Sequence, residues 1–429
     1  MPLRKLALFA VAPALLALLI GLVSGNPALW QPAAVAAAVL LALGLGSSPS
    51  LKSYQYTAWI IAAVVAAMIY PAQLLHWGDF DLRNKWLTLI AVQMVMFGMG
   101  TQMSLKDFAG VAKMPYGVLI AVASQFIVMP LVGFALTKIF TLPDEVAAGV
   151  ILIGACSSGL ASNVMCYIAK ANLALSITAT AVTTLIAPFM TPMWMNLLAG
   201  RLVEVDFTKM MMEIVKIVIV PIGAALLGDH LRNAPPATRR AWLISAILSA
   251  VLCVWLFSSA SSLARPDLAK TVHLSLESLA FIAAAIVVGV LYAALVRAFP
   301  SLPGRMPLFS MAGIVYFTTI TTAAGRDNLL LVGGLLFVVA VLHNTFGYVL
   351  GYSLAWLARL DRASRRTVAI EVGLQNGGMA SGLAASMGKL ATVGLAAAVF
   401  SPWMNISGSL LANFWRRRPV SPDAKSPGV

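Results

Sequence analysis

The chain has 429 residues, 60% of them hydrophobic and only 10% charged. That composition excludes a soluble domain and points to a polytopic, all-α membrane protein. The net charge of +14 does not signal nucleic-acid binding, because most Lys and Arg fall in loops between apolar spans.

About 20 apolar residues cross a bilayer core. Fourteen spans are expected, at about 6–24, 30–47, 56–75, 86–104, 114–138, 146–169, 172–199, 210–229, 241–262, 277–297, 306–324, 328–357, 367–387 and 391–415. Arg4 and Lys5 precede the first, and Val23-Ser24-Gly25 could be read as a signal-peptide cleavage site. Its length favours retention as a helix, since removal would invert every later loop. With fourteen spans, Arg232/Arg239/Arg240, Arg359/Arg362/Arg365/Arg366 and Arg416/Arg417/Arg418 all share the side of the N-terminus. The positive-inside rule then places both termini in the cytoplasm, with a bacterial inner membrane expected. Basic loops there are expected to touch anionic membrane lipid. Cys156, Cys166 and Cys253 lie in spans, so no disulfide is expected.

Two spans are broken by small polar residues. The first reads Gly-Ala-Cys-Ser-Ser-Gly-Leu-Ala-Ser-Asn-Val-Met, ending at Met165. The second reads Ile-Glu-Val-Gly-Leu-Gln-Asn-Gly-Gly-Met-Ala-Ser-Gly, ending at Gly382. A carboxylate at membrane depth, here Glu371, costs at least ~2.5 kcal/mol and needs a partner. Irregular backbone at that depth is tolerated only inside protein or around a cavity. Paired broken spans in matching halves of a chain point to a transporter's binding site.

A weak internal repeat supports this. Ser124-Gln125 is echoed by His343-Asn344, the Asn163 break by the Gln375-Asn376 break, and Ala187-Pro188-Phe189-Met190-Thr191 by Ser401-Pro402-Trp403-Met404-Asn405. The two units begin on opposite sides of the membrane, which makes the repeat inverted.

The oxygens around the breaks suit a hard cation. Glu371 supplies a charge. Ser162, Asn163, Ser176 and Thr180 supply neutral oxygens, with Ser176 and Thr180 on one helix face. Gln125 and Gln375 add amides, and unwinding would free carbonyls at Val372 and Leu374. Each group also has a duller use, as helix glue or an i−4 back-bond. Glu213 and Lys216, three apart, are expected to satisfy one another. Half-helix N-termini beside the breaks attract anions. Together these features predict entry of sodium coupled to an organic anion. A proton-coupled carrier using Glu371 is the nearest alternative. A membrane sensor and an intramembrane enzyme are more remote, since no HExxH or paired intramembrane aspartates occur and no His is placed as a base.

At these residues the chain resembles the bile acid:sodium symporter family, especially its bacterial members. The matching stretches are Phe97-Gly98-Met99-Gly100, Ala161-Ser162-Asn163-Val164-Met165, Asn172-Leu173-Ala174-Leu175-Ser176, Val341-Leu342-His343-Asn344, Glu371-Val372-Gly373-Leu374-Gln375-Asn376 and Asn405-Ile406-Ser407-Gly408-Ser409-Leu410-Leu411. They fall within about 56–230 and 305–415. The resemblance implies a ten-helix core of two inverted five-helix repeats, with two crossing broken helices and a panel domain that moves against a core domain. It implies one sodium at Ser162, Asn163, Ser176, Thr180 and Glu371. It implies a second at Gln125, Glu371, Val372, Leu374 and Gln375. Substrate contacts are expected at Leu160, Ala161, Asn376, Gly377, Met404 and Asn405. No cofactor is expected beyond sodium as the coupling ion, and no catalytic residue.

Two departures bear on the substrate. The family's Cys-Pro-Gly-Gly-Thr is here Cys156-Ser157-Ser158-Gly159-Leu160, and Met404 stands where some bacterial members carry His. The anion, whether bile acid-like, a keto acid or a pantoate-like carboxylate, is left open. The expected organisation is an extra helix pair at 1–50, a first repeat at 51–205, and a second repeat at 206–415. An extra pair at about 235–300 interrupts the second repeat, and a basic tail at 416–429 is expected to be disordered. Both extra pairs are expected to pad the panel rather than line the site.

Overall fold

The computed structural model describes residues 2–48, 54–258 and 270–418, so the expected disorder after Arg418 lies outside the described residues. The chain is almost wholly helical. It opens with α1 (Pro2–Val23), α2 (Pro27–Leu45), α3 (Gln55–Ile69) and α4 (Pro71–Leu75). A two-stranded hairpin follows, β1 (His76–Trp77) with β2 (Phe80–Asp81). Next come α5 (Lys85–Gly100), α6 (Leu105–Lys113), α7 (Pro115–Ile139), α8 (Asp144–Ala155), α9 (Leu160–Ile168) and α10 (Leu173–Trp194). The second half holds α11 (Phe207–Ile214), α12 (Val220–Arg232), α13 (Pro236–Phe257), α14 (Lys270–Ala298), α15 (Leu302–Ala324) and α16 (Arg326–Leu357). It closes with α17 (Arg362–Gly373), α18 (Gly377–Ser386) and α19 (Val393–Arg416).

Among the described residues, ten helices are long and apolar enough to cross a membrane. The other four expected spans fall on α3, on α5, and on the broken pairs α8–α9 and α17–α18. The bilayer demands that backbone groups be satisfied internally, which only helices and closed barrels achieve. The ends of these helices obey the same demand through caps. Asn84 accepts from the amides of Trp86 and Leu87, Asn172 from Leu175, and Asp361 from Ala363 and Ser364.

Some elements escaped the sequence reading. The short helix α6 is amphipathic, opens with a Ser104/Asp107 capping box, and bends 56° from α5. Of two five-residue π-helical segments, Met195–Ala199 ends the span that α10 begins, and Val215–Ile219 joins α11 to α12 within one span. Neither leaves a periodicity signal over so few residues.

The main buried core encloses the two breaks. Ile151, Leu152, Ile153, Val372, Leu374, Leu383 and Phe400 are all buried there. The extra helices look different. Leu3, Phe9 and Val23 of α1 and Ile247, Val251 and Val254 of α13 are exposed. Contiguous apolar exposure on a membrane helix is a lipid-facing surface. Helix α1 rests on α2, α2 on α3, and α13 on α14, which packs against α12.

Candidate functional site

The two breaks cross. Residues 156–159 and 374–376 are extended, and Ser158 bridges Gln375 in antiparallel fashion. The Gly159 amide donates to Leu374 O at 3.3 Å, and the Asn376 amide donates to Ser157 O at 2.9 Å. A Cβ on Gly159 would stand 2.9 Å from Gln375 O, so the crossing is this close only because position 159 has none.

Each break leaves helix-end carbonyls that need donors. Gln125 Nε2 on α7 donates to Cys156 O at 3.0 Å, at the end of α8. Asn344 Nδ2 on α16 donates to Gly373 O at 2.8 Å, at the end of α17. Each break thus has one helix-end carbonyl served by an amide side chain, from α7 in one case and α16 in the other. Asn344 is itself held by Ser407, whose hydroxyl donates to Asn344 Oδ1 at 2.6 Å.

Glu371 lies beneath the crossing and is 1% exposed. Thr180 Oγ1 donates to its Oε2 at 2.8 Å, and Ser176 Oγ lies 2.5 Å from its Oε1. Ser176 Oγ also lies 2.8 Å from Asn163 Oδ1, and a single hydroxyl proton cannot serve both acceptors fully. Ser162 Oγ lies 3.4 Å from Thr180 Oγ1 and donates to Gly159 O at 2.7 Å. All five residues of the first expected ion site therefore meet. Oxygen acceptors outnumber the available protons. Among the described residues, Glu371 has no Lys, Arg or His within ion-pair distance.

The second expected set also converges, with one correction. The sequence reading leaves the Val372 and Leu374 carbonyls unpaired. Instead α17 continues through Gly373, and the crossing supplies donors. Val372 O accepts from Gln375 Nε2 at 2.6 Å, and Leu374 O accepts from Ser158 Oγ at 3.2 Å as well as from Gly159. Gln125 Nε2 donates to Gln375 Oε1 at 2.7 Å. Sequence reasoning missed Ser158 as a member of this site. Its hydroxyl touches Glu371 O at 3.1 Å, Leu374 O, and Ser162 Oγ at 3.3 Å, and so stands between the two oxygen sets.

The expected anion-contacting residues are less uniformly gathered. Asn376 caps α18 by accepting the Met379 amide at 3.0 Å, while its Nδ2 lies 3.6 Å from the Met99 sulfur on α5. Gly377 packs on Ser401 of α19, with Met404 close by. Asn405 donates back to Ser401 O at 2.8 Å, the dull i−4 use of such a side chain. Leu160 and Ala161 open α9 and are half-buried.

Away from the crossing, Lys216 does bond Glu213, at 2.6 Å. It also bonds Glu277 of α14 at 2.9 Å, a partner no local spacing reveals.

A helical membrane bundle with two broken helices crossing over a buried carboxylate defines an integral membrane protein of the transporter class. Residues 89–264 match the sodium bile acid symporter family. The Bacillus subtilis protein named uncharacterized sodium-dependent transporter YocS is 32% identical over 369 residues, covering 86% of this chain and 92% of that protein. The probable sodium/metabolite cotransporter BASS1, chloroplastic, of Arabidopsis thaliana is 26% identical over 366 residues, 85% of this chain and 74% of that protein. The rice protein named probable sodium/metabolite cotransporter BASS2, chloroplastic, is 26% identical over 370 residues, 86% and 72% respectively. The chain belongs to the sodium bile acid symporter family.

Proposed function

We infer that this protein imports an organic anion together with sodium, by alternating access, across a bacterial inner membrane with both termini in the cytoplasm. The carrying observation is Glu371, a carboxylate buried among neutral oxygens with no ion-pair partner among the described residues. Burying a charge without compensation is costly, and a bound cation provides that compensation. Ser162, Asn163, Ser176, Thr180 and Glu371 hold one sodium in this reading. Gln125, Gln375, the Val372 and Leu374 carbonyls and Glu371 hold a second. Glu371 bridges both.

The paired roles of Gln125 and Asn344 support two inverted repeats, at 51–205 and 206–415. The N-termini of α9 and α18 turn positive dipole ends toward the anion's side of the crossing in this reading. Leu160, Ala161, Asn376, Gly377, Met404 and Asn405 line that side in this reading. A small carboxylate of the keto-acid or pantoate type, or a larger bile acid-like one, suits such a pocket. Sodium binding draws the crossing together, and the anion completes it.

The test is uptake of a labelled carboxylate into proteoliposomes driven by an inward sodium gradient. Replacing sodium by choline at fixed pH should abolish uptake. Uptake that survives in choline but follows a proton gradient would overturn sodium coupling in favour of proton coupling.

A further inference from the structure

Lys216 lies inside a membrane span, and its side chain is 3% exposed. An ammonium at that depth needs partners, and it marks a working part of a membrane protein more often than a passive one. Its Nζ is held between Glu213 Oε1 at 2.6 Å and Glu277 Oε2 at 2.9 Å, with the Phe281 ring centroid 5.8 Å away. Glu277 comes from α14, in the extra helix pair. The Lys216 backbone is pinned too, since Gln93 Nε2 on α5 donates to Lys216 O at 3.3 Å.

Lys216 sits in the π-helical segment Val215–Ile219. A π-bulge shifts the register of the side chains it carries, and such bulges gather at functional sites. The next residue, Ile217, is 1% exposed and packs on Gly382 of α18, the second half of a broken helix. A Cβ on Gly382 would stand 3.4 Å from Ile217 Cδ1, an ordinary packing contact, and 2.4 Å from Val92 Cγ2, so it is Val92 of α5 that demands a bare Cα here. A cavity of about 60 Å³ lies beside this seam, lined by Lys85, Lys216 and Glu277 on one side and Gly382, Ala385 and Ser386 on the other. Adjacent positions thus do two jobs: Lys216 is anchored to two carboxylates, and Ile217 is pressed on the broken helix.

We propose that Lys216 is a positioning residue that holds Ile217 against Gly382. It thereby seals the crossing on the membrane face where α18 ends. Through Glu277 the extra pair α13–α14 becomes a working part of the transport cycle rather than padding. The proposal rests on the alternating-access reading above, in which this face is the outer one. Opening the seam requires the bulge to move while Lys216 stays paired. Removing the ammonium leaves Glu213 and Glu277 facing each other uncompensated and the bulge unanchored.

The experiment uses the full chain in vesicles of known orientation. Ala385→Cys, half-buried on the α18 side of the cavity, reports opening through its reaction with a membrane-impermeant maleimide. The chain without that cysteine gives the background. Neither sodium nor substrate is added. In the Ala385→Cys chain, Lys216→Met should speed labelling from the outer face by about fivefold or more, because the open state becomes that much more populated. Glu277→Gln should speed it in the same direction, and Lys216→Arg should stay near the parent rate. Unchanged labelling in Lys216→Met, with only a lowered unfolding temperature, would overturn the proposal. If Lys216→Met fails to assemble, Glu277→Gln decides alone, and an unchanged rate there overturns the proposal. Labelling from the inner face only also overturns it. Since labelling needs no sodium, faster labelling in a protein without sodium-driven uptake would retire the coupling reading and leave the seal. The reverse result would retire the seal alone.

Discussion

Thr180 and Glu371 lie 191 positions apart in the chain and meet at 2.8 Å, hydroxyl to carboxylate, beneath the crossing of the two breaks. Ser176, one helical turn earlier, reaches the other oxygen of the same carboxylate. Both hydroxyls forgo the i−4 back-bond that Thr184, Thr318 and Thr345 make. A side chain that declines its easiest partner is being kept for another.

Glu371→Gln keeps the shape and removes the charge. In the parent chain, sodium chloride should raise the unfolding temperature while choline chloride does not. A ligand at a hundredfold excess over Kd adds about 3 kcal/mol. The variant should lose that sodium-dependent rise together with sodium-driven uptake. A thermal-shift assay in the two salts checks it, and a persisting sodium effect in the variant would remove Glu371 from the ion site.

Ser158→Ala deletes the hydroxyl that touches both oxygen sets. The apparent affinity for sodium should fall several-fold, about 1 kcal/mol for one neutral hydrogen-bonding oxygen. The substrate KM at saturating sodium should stay near the parent value. Uptake measured across a sodium series separates the two effects.

Asn376→Asp and Asn376→Ala should fail differently. Aspartate still caps α18, so stability should hold, whereas alanine should cost about 1 kcal/mol. The new negative charge on the anion's side should nonetheless abolish uptake. Sodium-dependent thermal stabilisation should survive in the aspartate variant. Substrate-dependent stabilisation surviving there as well would place the anion elsewhere.

Arg366→Met tests a different joint. Its guanidinium donates to Ala169 O at 3.4 Å, Trp415 O at 3.3 Å and Arg418 O at 2.6 Å, and lies over the Trp415 ring. It thus ties the end of α9 to the end of α19. Hydrogen bonds from a charged donor are worth about 1.5–3 kcal/mol, so the variant should lose at least about 2 kcal/mol. Thermal unfolding in detergent reads this directly, and an unchanged midpoint would show the joint to be dispensable.

The sequence made the breaks legible because polar residues inside apolar spans are costly, and cost stands out against a uniform background. Ser176 and Thr180 were legible through their four-residue spacing. Ser158 was not, because besides Ser162 its partners are backbone carbonyls from the opposite half of the chain, which no residue type announces. Glu277 was hidden for a different reason. Its partner Lys216 already had a sufficient neighbour in Glu213, so nothing local asked for another. The pairing of the Val372 and Leu374 carbonyls is not legible either, because the residues announce the unwinding but not the donors that meet it. The crossing brings its own donors.

The antiparallel bridge between Ser158 and Gln375 has a bearing on how the chain is made. The hydroxyls and amide of the first half are synthesised long before Glu371. Until the ribosome has passed Glu371, the half-built crossing holds only neutral oxygens and no carboxylate. The charge arrives last, into a cradle already waiting. A chain halted before that point would carry Ser162, Asn163, Ser176 and Thr180 without the one carboxylate they surround.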